Sequence, residues 1–390
     1  MKKRKKDLKN RPNLREIASA ANVSVATVSR VLNGNNRVHP SVQKLVLDAA
    51  AKLNVDLSQR SKTKVLAFVL GNRAVLHVFH SRILQGAETC CAVHGWDMVF
   101  LSFNYSPGVD AKELHLPRVV QRRDIARAVI LAGTNYSNLM DVLDQKGISY
   151  ALLGNNFFGE PQTCGRDVVF SDNIQAGLEM TRYLIGLGHR HIWFVGNVRL
   201  PWFSRYFEGY RRAMEEAGHP PCQGNLDPND ETQTGFMNTK AIVASGKPVT
   251  AILAGNDQIA HGVYKALADC GLKIPEDVSV AGCDDTVGPW LNPGLTTTRQ
   301  FPEELGRQLV ELVLKRIANP GIAPQFVTIP TELVKRESCR PIVAVQETGT
   351  EELNVPRLEQ SAGMNKLFTA QSANSAIDLD PLPLKVVDPA

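Results

Sequence analysis

Short apolar runs alternate with amphipathic helical segments through most of the chain after residue 65, and this repetition constrains the fold more than any other feature. VLAFVL, DMVFLSF, AVILAG and SYALLGN are short and apolar, which is typical of buried strands. Helical segments such as RILQGAETCCAVHG separate them. Strands that alternate with helices predict an α/β fold with parallel sheets covered on both faces.

A second series of the same kind begins near Asp172. Its helical segments include IQAGLEMTRYLIGLGH and IAHGVYKALADCGL, and its apolar runs include HIWFVGN, VTAILAGND and VSVAGCDD. Two such series predict two Rossmann-like lobes. Ligands of this fold class bind outside the carboxyl ends of the strands, so we expect any small ligand there.

Residues 13–33, NLREIASAANVSVATVSRVLN, have a different pattern that predicts a helix-turn-helix. Ser24 is placed to cap a second helix that begins near Val25. The small side chains at the start of this helix would allow close approach to base edges, although an ordinary helical hairpin with a solvated polar face has the same pattern. Arg30 could fork onto a guanine. The candidate DNA-binding residues are Asn13, Ser24, Val25, Ala26, Thr27, Ser29, Arg30 and Asn33.

Apolar spacing predicts which faces of these helices are buried. A third helix should run from about Pro40 to Leu53, because proline suits the first turn of a helix. Residues three and four apart lie on one helical face, and such a face packs against the neighbouring helices. The residues expected in this small core are Leu14, Ile17, Ala18, Val28, Val31, Val42, Leu45, Val46 and Ala49.

The distribution of charge favours DNA binding over the plain hairpin. Residues 1–64 carry 15 lysines and arginines against four acidic residues, a net charge of +11, whereas residues 65–390 carry −6. A basic head on an acidic body is typical of a nucleic-acid-binding module. Residues 1–12 are interpreted as a basic arm drawn to phosphates, and a solvated tail is the alternative.

Composition and motifs exclude several classes of protein. The 390 residues suffice for two or three domains, and the sequence has neither an apolar run of membrane-spanning length nor a signal-peptide pattern. Seven scattered cysteines without a CxxC pair suit reduced thiols, so we expect a cytoplasmic, nucleoid-associated protein. Catalytic motifs and metal-ligand spacing of the histidines are missing, so the sequence predicts no enzyme, metal or cofactor.

VSVATVSRVLNG, followed by VHPSVQKLVLDAAAKLN, resembles the headpiece of the lac/gal repressor family of bacterial transcription regulators. Further matches are GLGHRHIWFVG, AGNDQIAHGVYKALADCGLKIPEDVSVAGCDD, PGLTTTRQ and LVKRESC, in the order in which the family carries them. The resemblance implies a periplasmic-binding-protein-like, type I, pair of lobes between which the chain crosses three times. It places the last crossover near residues 288–300 and returns the final segment, VTIPTELVKRES, to the second lobe.

The resemblance also assigns roles in the headpiece. Ser24 and Thr27 would contact phosphates, Val25 and Ala26 would select operator bases, and Arg30 would contact a base. The family's hinge helix, which couples ligand binding to DNA affinity, is shortened here to part of NVDLSQRSKTK, and its minor-groove leucine has no clear counterpart. The predicted segments are a basic arm (1–12), a headpiece (13–57), a shortened hinge (58–64), a two-lobed effector-binding and dimerisation domain (65–342) and a mostly disordered tail (343–390).

Two aspartates are candidates for effector binding. Asp257 follows the strand VTAILA, where a carboxylate can accept two hydroxyls of a sugar, and the matching position in the family binds the effector. Its alternative role is to cap the helix that begins at Gln258. Asp172, in FSDN, is a similar case.

Four further candidates come from the resemblance or from side-chain chemistry. Gln300 matches a position that reaches the cleft in the family. Phe79 and His80 fall where the family carries ligand contacts, although both alternatively pack the loop. Trp202 could stack on a sugar face, and covering the junction between the lobes is its equally plausible alternative.

Arg205 departs from the family pattern by one position. The family carries an arginine three residues before Gly209, where it reads ligand hydroxyls or carboxylates, and here that slot holds Tyr206. One residue turns a side chain by about 100° around a helix. Either the helix start shifts and Arg205 still reaches the cleft, or Tyr206 replaces it; we select Arg205.

These features predict a homodimeric transcription regulator, a repressor, that reads a pseudo-palindromic operator. A small effector, a sugar or a derivative, would close the cleft and shift operator affinity. The missing leucine heptads favour a dimer over a tetramer. The alternative is a cytoplasmic sugar-binding protein of the same lobe fold with a vestigial headpiece.

Overall fold

A computed structural model describes residues 14–32, 38–53, 64–73, 77–159, 165–228 and 230–342. The candidate DNA contacts Asn13 and Asn33 lie outside these residues. So do the basic arm, the tail and all of the predicted hinge except Lys64.

Three helices form the headpiece, as predicted: α1 (Leu14–Ala20), α2 (Val25–Leu32) and α3 (Pro40–Lys52). Between α1 and α2, Asn22 has a φ of 51°, a left-handed conformation that asparagine tolerates in a tight turn. The backbone amide of Val23 donates to Ala18 O at 2.9 Å and closes this turn. The helices share a small apolar core that confirms most of the expected faces, with Ile17, Ala18, Val28, Val31, Val46 and Ala49 buried.

The expected burial of Leu45 is wrong. Its side chain is 54% exposed, whereas Val46, Ala49 and Ala50 are buried. These three residues follow the spacing of one helical face, and Leu45 is rotated by about 100° from Val46. The buried stripe of α3 is therefore narrower than the apolar pattern suggests.

Strands and helices alternate through residues 65–171. In chain order the elements are β1 (Val65–Gly71), α4 (Val78–Val93), β2 (Asp97–Phe103), α5 (Arg118–Gln121), β3 (Ala128–Gly133), α6 (Ser137–Gln145), β4 (Ser149–Leu153) and β5 (Val168–Ser171). Nearly every residue of β1, β3, β4 and β5 is buried, which is typical of parallel strands covered on both faces.

The same alternation continues to residue 334. The elements are α7 (Asn173–Gly186), β6 (Ile192–Val195), α8 (Pro201–Glu216), β7 (Cys222–Gln223), α9 (Glu231–Ala244), β8 (Ala251–Ala254), α10 (Asp257–Asp269), β9 (Ser279–Asp284), β10 (Thr296–Arg299), α11 (Pro302–Ala318), β11 (Phe326–Ile329) and β12 (Glu332–Val334). Among the described residues, no helix combines the length and the apolar character needed to cross a membrane.

The described strands form two six-stranded sheets, ordered β11-β5-β4-β3-β1-β2 and β12-β10-β9-β8-β6-β7. All paired strands are parallel except β12, which runs antiparallel to β10 at the edge of the second sheet. The carboxyl ends of the parallel strands in each sheet therefore lie along one edge. This architecture confirms the predicted α/β class with two Rossmann-like lobes.

The chain crosses between the sheets three times, as the resemblance implies. The last crossing does not lie at residues 288–300, where it was expected, but further along the chain. The first crossing follows β5, and the second lies between β10 and α11, at residues 299–302. The third lies between β11 and β12, at residues 329–332. VTIPTELVKRES is therefore divided: its first three residues pair with β5 in the first lobe, and only the rest lies in the second.

Helices pack in three close pairs, and two glycines make each close approach possible. A Cβ atom added at any of the six would lie 2.0–2.1 Å from a backbone oxygen of the partner helix. Packed interiors leave no space for such an atom, so the helix backbones are in direct contact. The pairs are α4 with α11 (Gly86 and Gly306), α7 with α8 (Gly177 and Gly209), and α9 with α10 (Gly235 and Gly262).

We predict that Gly177→Ala lowers the free energy of unfolding by about 1–3 kcal/mol, because the added methyl group overpacks the contact between α7 and α8. Chemical denaturation of the purified protein measures the change. Gly186→Ala, at the end of the same helix, is the matched control: its Cβ has no neighbour within 4 Å, so stability should stay unchanged or rise slightly. Equal stabilities of the two variants would contradict the close contact.

Candidate functional site

The first candidate site is the exposed face of α2 in the headpiece. The Ser24 hydroxyl oxygen accepts a hydrogen bond from the Thr27 amide at 3.0 Å, which confirms that Ser24 caps the helix. Val25, Ala26 and Arg30 are exposed, and Thr27 and Ser29 are partly so. The start of α2 thus presents small side chains to solvent and its last turn presents one guanidinium, the chemistry that a recognition helix needs in the major groove.

The second candidate site is a cavity between the two lobes, of about 480 Å³ when its open mouth is included. Its walls come from the carboxyl ends of strands and the residues that follow them in both sheets. The lining residues are Arg73, His77, Phe79, His80, Asn155, Asn156, Asn173, Trp202, Glu231, Gly255, Asn256, Cys283, Asp284 and Gln300.

Trp202 gives the cavity an aromatic wall. The guanidinium carbon of Arg73 lies 4.6 Å from the centre of its ring, a cation–π contact between the two lobes. Phe79 contributes a second apolar surface and packs edge-on against His80. Flat aromatic faces beside polar groups suit ligands that have both C–H faces and hydroxyls.

His80 is a neutral hydrogen-bonding group in this cavity. Burial, followed by the charges of Arg73 and His77, lowers its pKa to about 3. The Asn156 side-chain amide lies 3.1 Å from His80 Nε2, so Nε2 accepts and Nδ1 carries the proton. Nδ1 is buried without a hydrogen-bond partner among the described residues. A buried donor of this kind costs free energy unless something pairs with it, so a bound ligand is its natural acceptor.

Glu231 joins the two lobes at the cavity. Its carboxylate lies 3.4 Å from His77 Nε2 of the first lobe and accepts from the Asn256 side chain at 2.9 Å. Burial alone would raise the pKa of Glu231, but the hydrogen bond from His77 and further positive partners outweigh it, and the pKa is lowered. Glu231 is therefore an ionised acceptor at neutral pH.

The pKa of Asp284 is shifted in the opposite direction from that of Glu231. Burial, and then the charge of Asp257, raise its pKa well above the ordinary value. One of its oxygens accepts from the Thr286 hydroxyl at 2.6 Å and from the Thr286 amide at 3.2 Å. Its other oxygen can hold the proton, so Asp284 can both donate to and accept from a ligand.

Asp257 lies behind the cavity wall and does not line it. Its carboxylate accepts from the Thr297 hydroxyl at 2.6 Å and from the backbone amides of Thr286 and Gly288 at 2.9 Å each. Burial raises its pKa to about 6, although these donors favour the ionised form. The alternative role of Asp257 as a helix cap is wrong, because Asn256 caps α10 by accepting from the Ile259 amide.

The Arg205 side chain of the second lobe binds backbone oxygens of the first lobe. Its guanidinium donates to the carbonyl oxygens of Asn155 at 2.7 Å and Gly159 at 3.0 Å, with longer contacts to Gly154 and Phe157. All four belong to the segment after β4 in the first lobe. The alternative candidate, Tyr206, is fully buried and donates its hydroxyl to Gly282 O at 3.1 Å. Neither side chain lines the cavity.

The structure therefore brings together four of the seven predicted effector residues: Phe79, His80, Trp202 and Gln300. Asp172 caps α7 by accepting from the Gln175 amide at 3.0 Å, and its neighbour Asn173 lines the cavity instead. Asn155, Asn173 and Asn256 follow strands, a signal that could have found them. Arg73 also follows a strand, β1, whereas His77 and Glu231 meet only when the two lobes face each other.

Two family models match this chain. "Bacterial regulatory proteins, lacI family" matches residues 13–55, and "Periplasmic binding protein-like domain" matches residues 181–339. The headpiece and a segment that includes most of the second lobe thus match separate models, in the order that the sequence patterns predict.

Similar proteins match along most of their length. The HTH-type transcriptional repressor PurR of Vibrio cholerae serotype O1 (strain M66-2) is 26% identical over 336 residues, 84% of this chain and 98% of that protein. The ribose operon repressor of Haemophilus influenzae is 26% identical over 339 residues, 83% of this chain and 98% of that protein. A solved complex of the transcriptional regulator CelR with cellobiose is 26% identical, covers 84% of this chain and 100% of that one, and has a TM-score of 0.61.

We predict that Asp284→Asn stabilises the protein at pH 8, because an amide has no proton that the unfolded chain could release. A buried carboxyl with a raised pKa keeps its proton in the folded state while the unfolded chain releases it. The stability penalty therefore begins above the unfolded pKa and grows with pH, so the gain should vanish near pH 4. Denaturation of both proteins at several pH values measures it.

Asp285→Asn is the matched control for that change. The Asp285 carboxylate pairs with Arg299 at 2.8 Å and Arg336 at 2.7 Å, so its loss should lower stability at pH 8. A destabilising effect of both substitutions at pH 8 would contradict a protonated Asp284.

We also predict that Arg205→Ala loosens the segment at residues 154–159. Each lost hydrogen bond to a charged group contributes about 1.5–3 kcal/mol, so amide hydrogen exchange there should accelerate by at least about tenfold. Arg212→Ala is the control, because Arg212 lies exposed on the same helix and pairs with Glu208. Unchanged exchange in Arg205→Ala would show that the contacts across the lobes contribute nothing.

Proposed function

This chain belongs to the lacI family of bacterial regulatory proteins, and we propose that it is a homodimeric repressor whose operator affinity responds to a carbohydrate bound between its lobes. The exposed start of α2 is the observation that carries the DNA-binding part. A capped helix with Val25 and Ala26 at its tip and Arg30 one turn later fits the major groove. Two headpieces in a dimer would read a pseudo-palindromic operator.

In the operator complex, the small side chains at the start of α2 would allow the helix to lie close to the base edges. Val25 and Ala26 would lie against base edges, and Arg30 would reach a guanine. Ser24, Thr27 and Ser29 would contact phosphates, which position the helix without reading sequence. Asn13 and Asn33 stay predicted DNA contacts, because only the sequence pattern supports them.

A carbohydrate suits the cavity for three reasons. Trp202 and Phe79 offer flat apolar surfaces, whereas Asn155, Asn156 and Gln300 offer neutral hydrogen-bonding groups. Glu231 accepts, and neutral Asp284 and His80 donate, so hydroxyls can be paired in both directions. The similar regulator CelR has been solved with cellobiose.

The coupling follows from the position of the cavity between lobes. A ligand that touches Trp202 of the second lobe and His80 of the first prefers the arrangement that places both around it. It shifts the population of lobe arrangements only by the difference between its affinities for them. The cytoplasmic and nucleoid-associated location stays a prediction.

The test begins with binding of the full chain to random-sequence DNA duplexes at fixed salt, with sequencing of the retained fraction. We expect a palindrome spanning about one to two helical turns. Ala26→Glu should lower affinity for it at least about tenfold, because a carboxylate would face base edges and phosphates. Leu45→Glu adds the same charge at an exposed position of α3 and is the matched control.

The same operator complex then serves to screen carbohydrates, beginning with cellobiose and ribose. An active sugar should change operator affinity, and Trp202→Ala should weaken that response. Binding that is insensitive to sequence and lost with salt would contradict the headpiece proposal. It would favour a sugar-binding protein with a vestigial headpiece.

A further inference from the structure

The last turn of α4 lies beside α11 and carries a cluster of three metal-ligating side chains. Cys90, His94 and Glu311 each offer one ligand atom, and these three atoms lie within 4.8 Å of one another. The cluster belongs to the first lobe, apart from the cavity and from α2. From its geometry we propose that Cys90, His94 and Glu311 bind a zinc ion that links α4 to α11.

The helix itself aligns the first two ligands. The His94 amide donates to Cys90 O at 3.2 Å, so the helical turn continues through His94 and stacks the two side chains on one face. Glu311 comes from a helix more than 200 residues later in the chain. The glycine contacts of Gly86 and Gly306 hold the two helices close enough for these side chains to meet.

The distances require only small adjustments to hold a metal. Glu311 Oε1 lies 3.2 Å from His94 Nε2 and 4.0 Å from Cys90 Sγ. In a tetrahedral zinc site, bond lengths of about 2.0–2.3 Å separate ligand atoms by roughly 3.3–3.6 Å. Rotation of the partly exposed His94 and Glu311 side chains covers this difference.

The donor set fits zinc better than the hard cations. Thiolate and imidazole suit Zn²⁺, whereas Mg²⁺ and Ca²⁺ prefer oxygen. Thiolate and carboxylate together supply two negative charges against the two positive charges of the ion. The His94 side chain is 39% exposed and that of Glu311 28%, so the ion has a path from solvent and a water can take the fourth position.

Arg307 is the competing group. Its guanidinium lies 3.8 Å from Glu311 Oε1, but its shorter bonds, at 2.6 and 2.7 Å, go to Glu304. A positive charge there weakens metal binding without blocking it. Arg307→Gln should therefore raise the affinity for zinc, whereas a site formed elsewhere would not respond.

The experiment uses the purified full chain, reduced and freed of metal by a chelator. Titration with Zn²⁺, followed by calorimetry, should give one site per chain, and saturation should raise Tm because the ion binds only the folded state. Titration with Co²⁺ should produce a sulfur-to-cobalt charge-transfer absorption in the near ultraviolet. That band reports a thiolate ligand directly.

Variants assign the ligands. Cys90→Ser should abolish the cobalt band, and His94→Ala, at a more exposed position, should weaken zinc affinity by more than about tenfold. The matched controls Cys270→Ser and His77→Ala should bind as the unaltered protein does, and the second excludes a metal in the cavity. Absence of stoichiometric binding, a band that survives Cys90→Ser, or unchanged affinity in His94→Ala would overturn the proposal.

Discussion

Direct contact between helix backbones sets the geometry on which both lobes depend. At each of the three glycine pairs, a backbone oxygen of one helix lies where a side chain on the other helix would begin. A helix pair of this kind is a thin, rigid layer, and it covers one face of a parallel sheet without separating from it. Because this contact sets the distance between the helices of each pair, it helps to position the residues that follow each strand. The cavity is built from these residues.

The cavity contains two acidic side chains, Glu231 and Asp284, whose pKa values are shifted in opposite directions. Glu231 is ionised because His77 and Asn256 pair with it. Asp284 retains a proton because burial disfavours its charge and, second, because Asp257 behind it holds a negative charge. Two carboxylic acids in one site thus have different protonation states, and each offers different hydrogen-bonding chemistry. Asp257 owes its own charge to the backbone amides of residues 286–288 and to Thr297.

The sequence was sufficient for the fold because its signals are local. Apolar runs, the Ser24 cap and the spacing of Ile17, Val28 and Val31 each report on their own element. The site was predicted only in part. Asp257 and Asn256 are adjacent, and which of them faces the cavity depends on where α10 begins: Asn256 is the extended cap and Asp257 the first helical residue. Residues such as His77 and Glu231 meet only across the lobes, so no pattern within one segment could pair them. For the same reason, the meeting of Cys90 and His94 with Glu311 has no signature in the chain.

The position of Arg205 has a consequence for the range of the regulatory response. The Arg205 guanidinium binds the backbone of residues 154–159 directly, so this contact between the lobes does not itself require a ligand. The approach of the lobes is thus partly stabilised in the free protein, and a ligand adds only its own increment. Such a switch starts from a baseline that is already partly closed. The protein responds to a lower ligand concentration, since less closure remains for the ligand to drive. The ratio between operator affinities with and without ligand decreases by the same factor.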